Sequence, residues 1–119
     1  MSDITHVSAA EIARSLAQGE ISSVEVTTAY LARMEATEGV LGSFLARSSN
    51  ALEVAAASDQ ARSRGETPSA LAGVPIAIKD VLCTTDMVTT AGSRILEGWI
   101  PPYDATVVTK LRQAGMVAL

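Results

Sequence analysis

Lys79 and Asp80 close the run Leu71-Ala72-Gly73-Val74-Pro75-Ile76-Ala77-Ile78. An apolar, β-branched run ending in a lysine and an acid reads as a buried strand with two charged groups at its C-terminal end. In open α/β sheets, sites collect beyond the carboxyl ends of strands. A lysine there can act as a base if it is neutral part of the time, which burial against apolar neighbours and nearby helix N-termini both favour. The same pattern fits a strand-end lysine that reaches to water or pairs with an acid. Residue types alone favour this second reading, because lysine is seldom fully buried. Asp80 either orients Lys79 or caps the turn that follows. Thr89, Thr90 and Ser93 lie just downstream. They either line a site or bond within their own loop, and their residue types favour the loop.

The other chemistry-bearing residues point elsewhere. Cys83 is the single cysteine. It excludes an internal disulfide and any multi-cysteine metal site, and it fits a reducing compartment. With no histidine placed to partner it, Cys83 reads as a small buried apolar residue rather than a nucleophile. His6 is the only histidine and sits in the N-terminal stretch, where solvent exposure is expected. Asp104 follows Pro101, Pro102 and Tyr103 and reads as a helix cap. Trp99 is either a packing anchor or part of a partner contact. Nine Lys and Arg against thirteen Asp and Glu give a net charge of −4, which argues against direct nucleic-acid binding by this stretch. No glycine-rich phosphate loop is present, so no cofactor is expected to bind this segment.

Four helices can position these residues. The first starts at Ser8, where Ser8-Ala9-Ala10-Glu11 forms a capping box with Val7 and Ile12 as a hydrophobic staple, and it stops at Gly19. The second repeats the device with Ser22-Ser23-Val24-Glu25, Ile21 and Val26, and is expected to stop at Gly39. A third spans Asn50 to Arg64, with Arg62 and Arg64 at the negative end of its dipole and Gly65 after it. The fourth starts at Asp104 and closes at Gly115. Strands are expected over Leu41–Ala46, Val74–Lys79 and Met116–Leu119. This is an α/β order, with a largely parallel or mixed sheet covered by helices.

The chain has 119 residues, so it is one domain at most. It reads as a helical arm over 1–66 and the start of a sheet over 67–119. Hydrophobic residues make up 48%, which is a globular and not a disordered composition. No apolar run approaches the ~20 residues of a membrane helix, and Met1–His6 lacks the features of a secretory leader. The expected location is the cytoplasm, with no membrane contact. Only four residues are aromatic, so an Ala-rich chain like this is expected to pack against something larger. The apolar run Gly115-Met116-Val117-Ala118-Leu119 has no turn after it and reads as a strand cut short.

Several runs together resemble the amidase signature family. They are Leu71 to Asp80, Thr89-Thr90-Ala91-Gly92-Ser93, Ile95-Leu96-Glu97-Gly98 and Pro102-Tyr103-Asp104-Ala105-Thr106-Val107-Val108. Within that family, Ser93-Arg94-Ile95-Leu96-Glu97-Gly98, the paired prolines and Tyr103 to Val108 are most similar to the A subunits of tRNA-dependent glutamyl/aspartyl amidotransferases. The second helix fits as well, so the resemblance covers essentially the whole chain. It implies an amidase signature fold, incomplete in this chain. It also implies a catalytic unit of a nucleophilic serine, a second serine in a cis peptide, and a lysine that maps onto Lys79. Both serines would lie beyond position 119, so the segment alone is expected to be inactive.

The resemblance further implies a reaction for the complete protein. It hydrolyses glutamine or asparagine and passes ammonia to a B subunit, with a small C subunit bridging the two. On the B subunit, misacylated Glu-tRNA(Gln) or Asp-tRNA(Asn) is amidated with ATP and Mg²⁺, so tRNA is met through the complex and not directly. Two other readings remain open: part of a stand-alone amidase of the same family, and a non-catalytic binding module. The unpaired strand edges expected of so small a sheet argue against the module.

Overall fold

The computed structural model describes residues 3–119. Helix α1 (Ala9–Gln18) is closed at its N-terminus by the reciprocal box in which Ser8 accepts from the Glu11 N–H and Glu11 accepts from the Ser8 N–H. Gly19 ends it in the left-handed conformation, at φ 71°. Helix α2 (Ser23–Leu41) carries the same box between Ser22 and Glu25. It runs past Gly39 and stops at Gly42, φ 56°. The expected strand over Leu41–Ala46 does not form. Leu41 is the last residue of α2, Gly42 turns the chain directly after it, and Leu41 and Leu45 are exposed. Helix α3 (Ala51–Ser63) follows after a short loop.

Strand β1 is Pro75–Ile76 and strand β2 is Val117–Ala118, paired in parallel with Pro75 opposite Val117 and Ile76 opposite Ala118. Parallel neighbours need a long crossover, and here residues 77–116 supply it, including α4 (Thr106–Gln113). The ladder bonds are Val117 N–H to Val74 O at 2.9 Å and Leu119 N–H to Ile76 O at 3.0 Å. Residues 77–79, expected as strand, are irregular chain beyond the end of the ladder. The order of helices and a small parallel sheet agree with the α/β expectation.

The core has two parts. Ile12 and Leu16 from α1 and Val26 from α2 bury Val74 at the start of β1, with Val7 and Ile21, the two staple residues, packed at the edge. Ala51 and Ala55 from α3 bury Val117 of β2. Small side chains let α2 and α3 approach closely, and polar bonds lock the pair. The Asp59 carboxylate on α3 accepts from the Ser23 and Val24 N–H groups, at 2.7 and 3.1 Å, and so satisfies free donors at the positive end of α2. Ser23 Oγ donates to Gly73 O at 2.7 Å, and Arg62 donates to Ala72 O at 2.6 Å. The chain therefore enters β1 gripped from both helices. Among the described residues, no helix is long and apolar enough to cross a membrane.

Candidate functional site

Beyond the C-terminal end of β1 lies an open cavity of about 490 Å³. Its walls are residues 43–46 after α2, residues 77–80 after β1, and Leu82, Thr84, Met87, Val88 and Thr89 from the crossover, with Leu119 at the end of β2. Lys79, Asp80 and Thr89 thus share one cavity, while Thr90 and Ser93 stand behind it. Residues 43–46, read from sequence as strand, contribute an irregular wall instead. Their place here has no local signal, because it depends on how α2 and α3 dock.

Lys79 is exposed. Among the described residues its ammonium makes no hydrogen bond and no ion pair; its carbonyl accepts from the Leu82 N–H at 3.0 Å. Asp80, its chain neighbour, does not bond it. Asp80 Oδ1 accepts from the Thr90 N–H at 2.8 Å, Oδ2 accepts a short bond from the Thr90 hydroxyl, and the Asp80 carbonyl accepts from the Ala91 N–H at 2.8 Å. Partial desolvation works against ionised Asp80. The Thr90 hydroxyl, the Thr90 N–H and the Gly92 N–H outweigh it and hold the carboxyl below the usual aspartate value.

The partner loop is a tight turn. Ser93 N–H reaches Thr90 O at 2.8 Å, and both central residues have positive φ, Ala91 at 50° and Gly92 at 70°. That is the type I′ pattern, in which glycine is at ease and alanine is strained by roughly 1–2 kcal/mol. Thr90 Oγ1 also accepts from the Gly92 N–H at 3.1 Å. Ser93 caps the 3-10 turn Arg94–Leu96 through the Ile95 N–H. Thr89 is buried, and its N–H donates to Trp99 O at 3.0 Å.

The far wall is braced by α4. Asp104 does not cap that helix: Ala105 holds the N-cap position. Asp104 instead accepts from the Thr85 N–H at 2.8 Å and pairs with Arg112 Nε at 3.0 Å, while Arg112 Nη2 reaches Asp86 at 2.7 Å. The Asp86 bond, then desolvation acting against it, then the charges of both carboxylates set the Arg112 guanidinium, whose net shift is upward. Cys83 is half-buried rather than buried, and its proximity pushes the Tyr103 phenol above its usual value, through hydrogen bonding first and charge second. His6 is exposed, 3.7 Å from Asp3. Trp99 stays partly exposed. Among the described residues, no group of three or more His, Cys, Asp or Glu is placed to hold a metal ion.

The Amidase family profile matches residues 25–119, from the first turn of α2 to the end of β2. The chain is 57% identical over its whole length to the A subunit of the glutamyl-tRNA(Gln) amidotransferase of Nocardia farcinica, and 52% identical to that of Streptomyces coelicolor. It covers 25% and 24% of those proteins, so it spans about a quarter of the length of the curated relatives it matches. Among solved structures, the native peptide amidase of Stenotrophomonas maltophilia superposes with a TM-score of 0.89 at 34% identity, over 96% of this chain and 24% of that one. Sequence runs, sheet topology and likeness to relatives agree, and the chain belongs to the amidase family.

Proposed function

We propose that this chain is part of the ammonia-releasing component of a tRNA-dependent amidotransferase, and that Lys79 is its contribution to catalysis. The observation that carries the reading is the 57% identity, over all of the chain, to the A subunit of a glutamyl-tRNA(Gln) amidotransferase. The placement of Lys79 supports it. The residue stands beyond a strand's carboxyl end, on the wall of a cavity, with its ammonium held by no carboxylate among the described residues.

In this reading Lys79 takes a proton through a bridging serine, and the nucleophilic serine attacks the side-chain amide of glutamine. A glutamyl ester forms and ammonia leaves; water then releases glutamate. Both serines come from protein outside this segment, so the segment alone turns over nothing. Subunits B and C complete the complex. Misacylated tRNA, ATP and Mg²⁺ belong to the partner, and no step of the glutaminase chemistry passes through them. The cytoplasm is the proposed location.

The test is Lys79→Ala in the full-length protein. Glutaminase turnover is expected to fall by at least about 10³-fold with the thermal midpoint unchanged. Near-normal turnover would remove Lys79 from the mechanism. A second reading, a stand-alone amidase, draws on the likeness to peptide amidase. Hydrolysis of peptide amides without partner subunits, with no tRNA-dependent amidation when they are supplied, would favour it.

A further inference from the structure

We infer that Asp80 and Thr90 are a positioning pair for Lys79, a carboxylate and a hydroxyl that fix the main chain beside the proposed base. The inference rests on the catalytic reading of Lys79. With no partner for its ammonium among the described residues, the aim of the Lys79 side chain is set by its backbone. That backbone has no ladder partner at 77–79, since the pairing ends at Ile76, and Lys79 itself is held only by a local turn bond from the Leu82 N–H to its carbonyl. Asp80 is where it is fastened to a distant part of the crossover. Both carboxylate oxygens and the carbonyl of Asp80 accept from residues 90 and 91, ten or eleven positions along the chain. The anchor is rigid in turn, because Thr90 opens the type I′ turn that holds Ala91 at φ 50°. A strained turn persists where its surroundings over-determine it, and here the Asp80 bonds do so.

Two features make this more than a loop staple. The bonds are charge-assisted, so they are short and directional. They also act one residue from a group that must meet a reacting proton, where small displacements are amplified.

The experiment is steady-state glutaminase kinetics on the full-length protein with its partner subunits, comparing Thr90→Val, Thr90→Ser and Lys79→Ala with the unaltered protein. Thr90→Val keeps the shape and deletes the hydroxyl. It is expected to lower kcat by about 10–100-fold with KM changed by less than about twofold, because a misplaced group weakens the transition state and not substrate binding. Thr90→Ser, which keeps the hydroxyl, is expected to recover most of kcat. Unchanged kcat in Thr90→Val, a change confined to KM, or no recovery in Thr90→Ser would overturn the pair. If Thr90→Val does not fold, Asp80→Asn is scored by the same split, and unchanged kcat there is equally fatal. Lys79→Ala separates the two levels. Should it retain turnover, the catalytic reading fails and the pair with it. Should it be inactive while Thr90→Val runs at full rate, only the pair fails.

Discussion

The helix ends of the arm and the irregular crossover segment after β1 are closed by bonds of different reach. In the arm, Ser8 with Glu11 and Ser22 with Glu25 close their helices across three residues, and Gly19 and Gly42 end them. In the crossover, with its 3-10 turn and one short helix, the fastening is long-range: Asp80 to Thr90, Asp104 to Thr85, Arg112 to Asp86. Regular helices satisfy their own backbone, so the arm can form from local signals and contribute its apolar stripe to the core. An irregular segment has to satisfy its backbone with side chains. Each such side chain is then placed to one geometry, as a binding wall requires. The difference assigns the helices of the arm to stability and the crossover, with residues 43–46 after α2, to the site.

Gly73 is where the two regions meet, and it offers the largest effect. It is buried at φ 83°, and an added Cβ would lie 2.8 Å from Ser58 Oγ and 3.0 Å from Ser23 Oγ. Gly73→Ala should destabilise the full-length protein by about 2–4 kcal/mol, combining left-handed strain with overpacking. Urea unfolding measures it. A loss under about 1 kcal/mol would mean that the junction has slack and that the arm does not fix β1.

Arg112 tests the crossover by itself. It bridges Asp86 and Asp104 on the outer side of the loop that bears Thr84, Met87 and Val88. Arg112→Ala is expected to destabilise by about 1–2 kcal/mol, the scale of charge-assisted bonds left half-made. On the proposed function it should also raise the KM for glutamine more than it lowers kcat, since it loosens a wall and not the proposed base. A normal KM beside a lowered stability would show the wall to be held from elsewhere, and would shift Arg112 to the side of the arm.

The same division decides what could be read in advance. Both capping boxes, both staples and the Gly19 stop are complete within a few residues, and the structure has each of them. The Gly39 stop failed because a helix interior tolerates glycine at a cost of only about 1 kcal/mol, and Gly42 is the residue at positive φ. The strand over Leu41–Ala46 failed because α2 takes Leu41 as its last residue and Gly42 turns the chain in the left-handed conformation, so the apolar run is broken at its start. Asp104 has the residue type and position of a cap, but its partners Thr85 and Arg112 come from elsewhere in the chain. Lys79-Asp80 reads as a strand end, and the structure places the pair just past the last paired residue, Ile76. That Asp80 would serve Thr90 was not visible, because a bond across ten residues of irregular chain leaves no periodic trace.

Ser22→Ala is the smallest change, and it sharpens the comparison from the other side. Ser22 caps α2 outside the cavity walls, so kcat and KM should both be unaffected. Stability near neutral pH should fall by about 1 kcal/mol, the usual worth of an N-cap hydroxyl. The loss should also depend on pH in one direction. The Ser22 N–H and then its hydroxyl hold the Glu25 carboxyl below its ordinary value of 4.5, with desolvation opposing weakly. A carboxyl lowered in the folded state stabilises above its unfolded value, and that contribution is lost as pH falls through the lowered one. The gap between the unaltered protein and Ser22→Ala should therefore be full at neutral pH and shrink below about pH 4. Urea midpoints across that range measure it. A gap that holds in acid would mean that the hydroxyl acts through its backbone bond alone, and a fall in kcat would mean that strain at the start of α2 reaches the cavity.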